Sequence, residues 1–173
     1  MSLHIIIDGY NLIRQSSRLS ILDLQDIQLG REALVDMLAA YKKFKAHRIT
    51  VVFDGTGLPL VSRQRDRQKG ITIVYSHNGE SADAVIKKMA RREGPKALVV
   101  SSDQDIVRSV AAWGVTAINA RDFESKLVMS RSLDGMQADG ENHSGWKPTT
   151  KKKGPRRRLP KRQRKNRAKL GKL

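Results

Sequence analysis

Ile5-Ile6-Ile7-Asp8-Gly9-Tyr10-Asn11 places three β-branched residues directly before an aspartate and a glycine, with no apolar–polar alternation. A continuous apolar run closed by a turn signal reads as a strand buried on both faces, as found inside a parallel sheet. Such sheets carry their chemistry at the carboxyl ends of the strands, which is where Asp8 stands. The pattern returns at Thr50-Val51-Val52-Phe53-Asp54-Gly55 and at Ala97-Leu98-Val99-Val100-Ser101-Ser102-Asp103. Three strands thus deliver carboxylates to one edge.

Around these strands the spacing predicts helices. Leu29, Ala33, Leu34, Met37, Leu38 and Tyr41 mark the buried stripe of a long helix near Leu24–Lys45, after a polar stretch through Ser20. Ser81 is a candidate N-cap for a helix over Ala82–Arg92, stopped by Gly94-Pro95. Ser102 or Asp103 caps a helix to about Trp113, and Arg121–Met129 forms another after a short strand at Val115–Ile118. Ile71–Tyr75 is a further strand, preceded by a charged loop at Arg63–Gly70. Alternating strands and helices imply βαβ units, hence a three-layer α/β fold on a mostly parallel five-stranded sheet.

The chain divides by composition. It has 173 residues and a net charge of +17, but 14 of its 34 lysines and arginines lie in Lys147–Leu173, which holds no acid. The remaining 20 face 17 acids, so the globular part is nearly neutral. We expect a globular domain over residues 1–131, a Ser/Gly-rich linker over 132–146, and a basic tail over 147–173 that is disordered when free. A basic arm without an apolar face points to nucleic acid rather than a membrane surface. The absence of cysteine, of a signal peptide and of any long apolar stretch leads to the expectation of a cytoplasmic protein with no membrane association.

The acidic edge points to a chemistry. Glu80 and Asp83 begin the helix after Ile71–Tyr75, and in a parallel layout they share an edge with Asp8, Asp54, Asp103 and Asp105. Capping and the helix dipole explain Asp105 well and Asp103 in part. They explain Asp8 less well, because a carboxylate after a buried triplet is costly unless paired. Converging carboxylates repel, and a hard divalent cation relieves them; oxygen-only donors select Mg²⁺ or Mn²⁺. The reaction this suggests is metal-assisted phosphodiester hydrolysis. There is no Gly-x-Ser-x-Gly elbow, no thiol, no Gly-x-Gly-x-x-Gly loop and no Walker lysine, which disfavours a serine or cysteine hydrolase and any nucleotide cofactor. Of the four histidines only His77 falls near the acidic edge.

IIIDGYN at Ile5–Asn11, VVFDG at Val51–Gly55, GESAD at Gly79–Asp83 and VVSSD at Val99–Asp103, in this order and spacing, resemble the YacP-like branch of the NYN-domain family over about Met1–Met129. The resemblance implies a PIN-like fold, a carboxylate cluster holding Mg²⁺ or Mn²⁺, and endoribonuclease activity, in some members on ribosome-associated mRNA. It makes Asp8 the central metal ligand and Asp83 and Asp103 its companions. Asn11 would orient Asp8 or contact phosphate, and Asp54 and Glu80 match acidic positions of the family. The basic tail lies outside the family pattern.

For RNA, Arg63, Arg65, Arg67 and Lys69 would project to one side if their segment is extended, tracking a phosphate backbone. Lys87, Lys88, Arg91 and Arg92 could continue that path, and Tyr10 and Tyr75 are the candidate stacking platforms. In the tail, Lys151, Lys152, Lys153, Arg156, Arg157, Arg158, Lys161 and Arg162 form clusters separated by proline and glycine. RNA, with the ribosome as its setting, is the expected partner. Two other classes compete: a non-catalytic RNA- or ribosome-binding factor, and a small phosphatase. The phosphatase ranks last because Asp8-Gly9-Tyr10 lacks a second aspartate two positions after the first.

Overall fold

The computed structural model of the chain describes residues 2–55, 64–77, 79–136 and 161–173. In chain order these form β1 (His4–Asp8), α1 (Gly9–Gln15), α2 (Ser17–Gln25), α3 (Ile27–Phe44), β2 (Arg48–Phe53), β3 (Gln64–Gln68), β4 (Ile71–Tyr75), α4 (Ala82–Glu93), β5 (Ala97–Val100), α5 (Gln104–Ala112), β6 (Thr116–Ile118), α6 (Ala120–Met136) and α7 (Lys161–Leu170). A single 3₁₀ turn at Gly94–Lys96 separates α4 from β5.

The sheet has six strands in the order β3-β4-β2-β1-β5-β6, all parallel except β3. Its central strands are buried on both faces, so alternate residues feed two cores. Ile5 and Ile7 of β1 join Val51, Ile73 and Val100 under α1, α2, α3 and α6. Ile6 joins Val52, Val74 and Val99 under α4 and α5. This is the expected three-layer arrangement.

Three elements differ from the sequence reading. The single helix expected at Leu24–Lys45 is the last of three, because side-chain caps start a new helix each time. Asp8 accepts from the Asn11 N–H, Ser16 from Leu19 and Asp26 from Gln28. Each cap satisfies an orphan N–H of a helix start. The sixth strand, β3, replaces part of the charged loop. Its residues Gln-Arg-Asp-Arg-Gln are all exposed, so among the described residues it is the ladder to β4 that holds it.

The third difference is in the tail, where Lys161–Leu170 is a helix seated on the domain. Leu170 packs against the core and Leu173 is buried. The Tyr41 hydroxyl donates to the Leu173 carbonyl at 3.2 Å, His47 Nε2 meets the Lys172 carbonyl at 3.2 Å, and Thr116 donates to Asn166 Oδ1 at 3.0 Å. Tyr41 lies in the last turn of α3, His47 precedes β2 and Thr116 opens β6, so α7 sits at the amino ends of the parallel strands. Two leucines give this basic segment an anchor that its charge count conceals. α6 also runs five residues past the expected domain boundary. No helix among the described residues is long and apolar enough to cross a membrane.

Candidate functional site

The strand order reverses direction beside β1. From β1 the chain moves outward to β2 and β4, then α4 carries it back across to β5 on the other side of β1. Ligands of open α/β sheets bind at such a switch point, outside the strand carboxyl ends. Asp8 ends β1, and Asp103 follows β5 by three residues.

A half-open cavity of about 520 Å³ occupies this position. Its lining includes Asp8, Asn11, Asp54, Asp83 and Asp103, four carboxylates from four separate segments. Two acids of the same edge stay outside the lining. Glu80 pairs with His77, whose Nδ1 is 3.1 Å from Glu80 Oε2. Asp105 is ion-paired with Lys87.

A small hydrogen-bond network fixes the acids. Asp8 Oδ1 accepts from the Asn11 N–H at 3.3 Å and Oδ2 from the Ser101 hydroxyl at 3.1 Å. The same Ser101 oxygen accepts from the Asp103 N–H at 3.1 Å. Asp103 caps α5 by accepting from the Asp105 N–H at 2.7 Å. The Asn11 side chain accepts from the Ser102 N–H at 2.9 Å, tying the exit of β1 to the exit of β5. Asp54 accepts from the Ser76 hydroxyl at 3.1 Å, and Ser76 also receives the Gly55 N–H at 3.0 Å. The turn after Asp8 needs a glycine for space, since a Cβ on Gly9 would lie 2.4 Å from Phe53 Cε1.

These acids feel each other. Burial pushes the Asp8 carboxyl up to about 6, opposed by its two hydrogen bonds and reinforced by the charges of Asp83 and Asp103. Asp83 is raised too, by burial first and then by Asp103. A perturbed carboxylate set in a cleft is a mark of functional sites. Among the described residues, no group of three or more Asp, Glu or His side chains is drawn tightly enough to hold a metal ion as it stands.

The basic residues divide. Arg65 and Arg67 lie two apart on β3 and so share a face. Lys69 sits in the turn at the far end, ion-paired with Asp36. Arg63, Lys151, Lys152, Lys153, Arg156, Arg157 and Arg158 lie outside the described residues, while Lys161 and Arg162 open α7. Lys88, Arg91 and Arg92 are exposed on α4. Tyr10 and Tyr75 are not free platforms. Arg31 lies 5.4 Å from both ring centroids, Arg14 lies 5.7 Å from that of Tyr10, and Tyr75 stacks on Phe53.

Sequence reasoning missed Arg14 and Arg31, which line the acidic cavity, and the serines that hold its acids. The serines had a signal, since Ser101 follows a buried strand directly. Arg31 had none, because only packing decides which face of α3 meets α1.

A three-layer α/β domain with an acidic cleft at its switch point is the architecture of the PIN-like nuclease-type class. A family profile described as the YacP-like NYN domain matches residues 5–170, and the chain belongs to that family; the match runs well past Met129 and through most of the basic tail, which corrects the expectation that the tail lies outside the family pattern. It is 25% identical over 87 residues to the uncharacterized protein YacP of Bacillus subtilis (strain 168), a match covering 50% of this chain and 51% of that protein. The chain thus spans about half the length of that curated relative. The fold is also that of the crystal structure of Rae1 (YacP) from Bacillus subtilis, with a TM-score of 0.64, 21% identity and 80% of each chain covered. A single-substitution mutant of Rae1 superposes equally, with a TM-score of 0.65 and 21% identity over 79% of this chain and 81% of that one.

Proposed function

We propose that this protein is a metal-dependent endoribonuclease that hydrolyses RNA phosphodiester bonds. The observation that carries the reading is the convergence of Asp8, Asp54, Asp83 and Asp103 on one switch-point cavity, with Asp8 pushed up to about 6. The donor set fits Mg²⁺ or Mn²⁺: it is oxygen only, and its mutual repulsion is what a hard cation relieves. Mg²⁺ keeps several of its waters, so it asks for fewer direct carboxylates than a dehydrated ion. Asp8, Asp83 and Asp103 would hold it. When bound, such an ion supplies charge neutralisation at the phosphate and activates water for attack.

The chain's own residues prepare that site. Ser101 and the Asn11 N–H fix both oxygens of Asp8, leaving the carboxylate little rotational freedom. Asn11 holds the β5 exit against β1, so Asp103 keeps its place relative to Asp8. Ser76 orients Asp54 from β4's end. The basic tail, with α7 as its described part, supplies sequence-independent grip on RNA. Ribosome-associated RNA in a reducing cytoplasm is the setting this suits, given the cysteine-free chain.

One observation favours a second reading, a non-catalytic RNA-binding factor: the described acids are not drawn into a tight metal-holding group. Incubating wild type and Asp8→Asn with single-stranded RNA and with translating ribosomes in Mn²⁺ decides between them. Cleavage by wild type that disappears in Asp8→Asn, with RNA binding retained, supports the nuclease. Binding without cleavage by wild type supports the factor.

A further inference from the structure

The acidic cavity has a second wall. Arg14 and Arg31, with Tyr10 and Gln15, line it together with the four aspartates. Arg31 comes from α3 and is partly buried. Its guanidinium is held by three aromatic rings, with centroids at 5.4 Å (Tyr10), 5.5 Å (Phe53) and 5.4 Å (Tyr75). Nε donates to the Tyr10 hydroxyl at 2.9 Å, and Nη2 donates to the same oxygen.

What Arg31 does not do is informative. Four carboxylates line the same cavity, yet among the described residues none lies within ion-pairing distance of Arg31 or of Arg14. An arginine placed to neutralise those acids would sit on them. Here a neutral phenol and ring faces hold the fork instead, and Nη1 has no hydrogen-bond partner among the described residues. Among the described residues the charge is therefore preorganised without a counter-ion. A planar guanidinium fixed in this way suits a phosphate oxygen.

We propose that Arg31 and Arg14 form a phosphate-gripping wall that seats the backbone of single-stranded RNA across the carboxylates. This rests on the ribonuclease reading for the identity of the ligand. Arg31 takes the phosphate neighbouring the one attacked, and exposed Arg14 takes the next outward. Tyr10 is a positioning residue, aiming the Arg31 fork. A cavity of about 520 Å³ is in the range of pockets for single small ligands, roughly 300–1,000 Å³, the scale of a nucleotide of a single strand.

The test measures anisotropy of a labelled single-stranded RNA pentanucleotide on the full chain carrying Asp8→Asn, in Mn²⁺. Adding Arg31→Ala or Arg14→Ala should weaken binding, about tenfold or more for Arg31. Each loss should lower the slope of log affinity on log salt by about 0.7. Arg31→Lys, which keeps the charge and packing bulk, should retain the slope while losing affinity. Tyr10→Phe should lose affinity with the slope unchanged, and a blunt RNA duplex should respond to none of these changes. Unchanged affinity and slope in both alanine variants overturns the wall, as does a parent that does not bind the pentanucleotide. Wild type that binds through this wall but leaves RNA intact removes the nuclease reading alone. Cleaving wild type with wall-independent binding removes the wall alone.

Discussion

Asp8 and Ser101, 93 positions apart, share a hydrogen bond of 3.1 Å, and the same serine oxygen accepts from the backbone of Asp103. One hydroxyl thus couples the acids at the ends of two adjacent strands. The coupling explains why the first strand's aspartate stays hydrogen-bonded although burial works against its charge.

That cost has a sign that can be measured. Asp8 is raised from 3.8 to about 6, so the folded chain holds this proton to higher pH than the unfolded chain does. Its contribution is fully present below about pH 4 and is lost as pH rises through 6. At about 1.4 kcal/mol per unit this amounts to roughly 3 kcal/mol. Asp8→Asn keeps a capping side chain and removes the titration. In chelator, its stability relative to wild type should climb between pH 4 and 6 and then level off, as read by urea melts. Cleavage by wild type should fall at acid pH, with the limb moving to lower pH as Mn²⁺ is raised, because ion and proton compete for Asp8. A stability difference independent of pH would refute this account of Asp8.

Gly9→Ala should be costly for reasons of space. The added Cβ meets the buried Phe53 ring at 2.4 Å, and overpacking of this kind costs about 1–3 kcal/mol. Phe53 also supports Arg31, so RNA binding should weaken with stability. Thermal melts and anisotropy on the same sample check both.

Asn11 separates two roles. Asn11→Ala leaves the Ser102 N–H without its acceptor, a loss of about 1–3 kcal/mol. Asn11→Asp keeps an acceptor but adds a charge beside Asp8, which should move the acid limb of the pH–rate profile toward higher pH. An unmoved limb in Asn11→Asp would show that position 11 and Asp8 are electrostatically independent.

The tail helix offers a contrast between charge and packing. Replacing exposed Arg164, Lys165 and Arg167 with Gln should lower the salt slope of RNA binding by about 0.7 for each phosphate that the helix no longer neutralises. Leu173→Ser should leave that slope alone and lower the melting temperature, because Leu173 is buried beside Tyr41. Deleting Lys147–Leu173 should do both. If the glutamine variant binds with the wild-type slope, the tail helix has no role in RNA association.

Where burial is complete, sequence and structure agree closely. Ala97–Val100 is a strand at the expected residues, and Ser81 caps α4 as its position suggests. Asp8, Asp54, Asp83 and Asp103 could be gathered in advance because parallel connections put all strand carboxyl ends on one side. The helix breaks at Ser16 and Asp26 were hidden, since capping residues look like ordinary polar positions within an amphipathic run. β3 was hidden because an edge strand held by backbone hydrogen bonds needs no apolar side chain. Arg31 was out of reach because its value depends on three rings from three other elements.

The two margins of the sheet are unlike, and both are poor templates for further pairing. On one side β3 presents arginines and an aspartate to solvent, the charged edge by which β proteins discourage self-association. On the other, β6 is three residues long and α7 rests at its start. The helix that loads the chain with positive charge therefore also closes the opening of that short edge, and stripping it away would leave the Thr116 hydroxyl without its Asn166 partner.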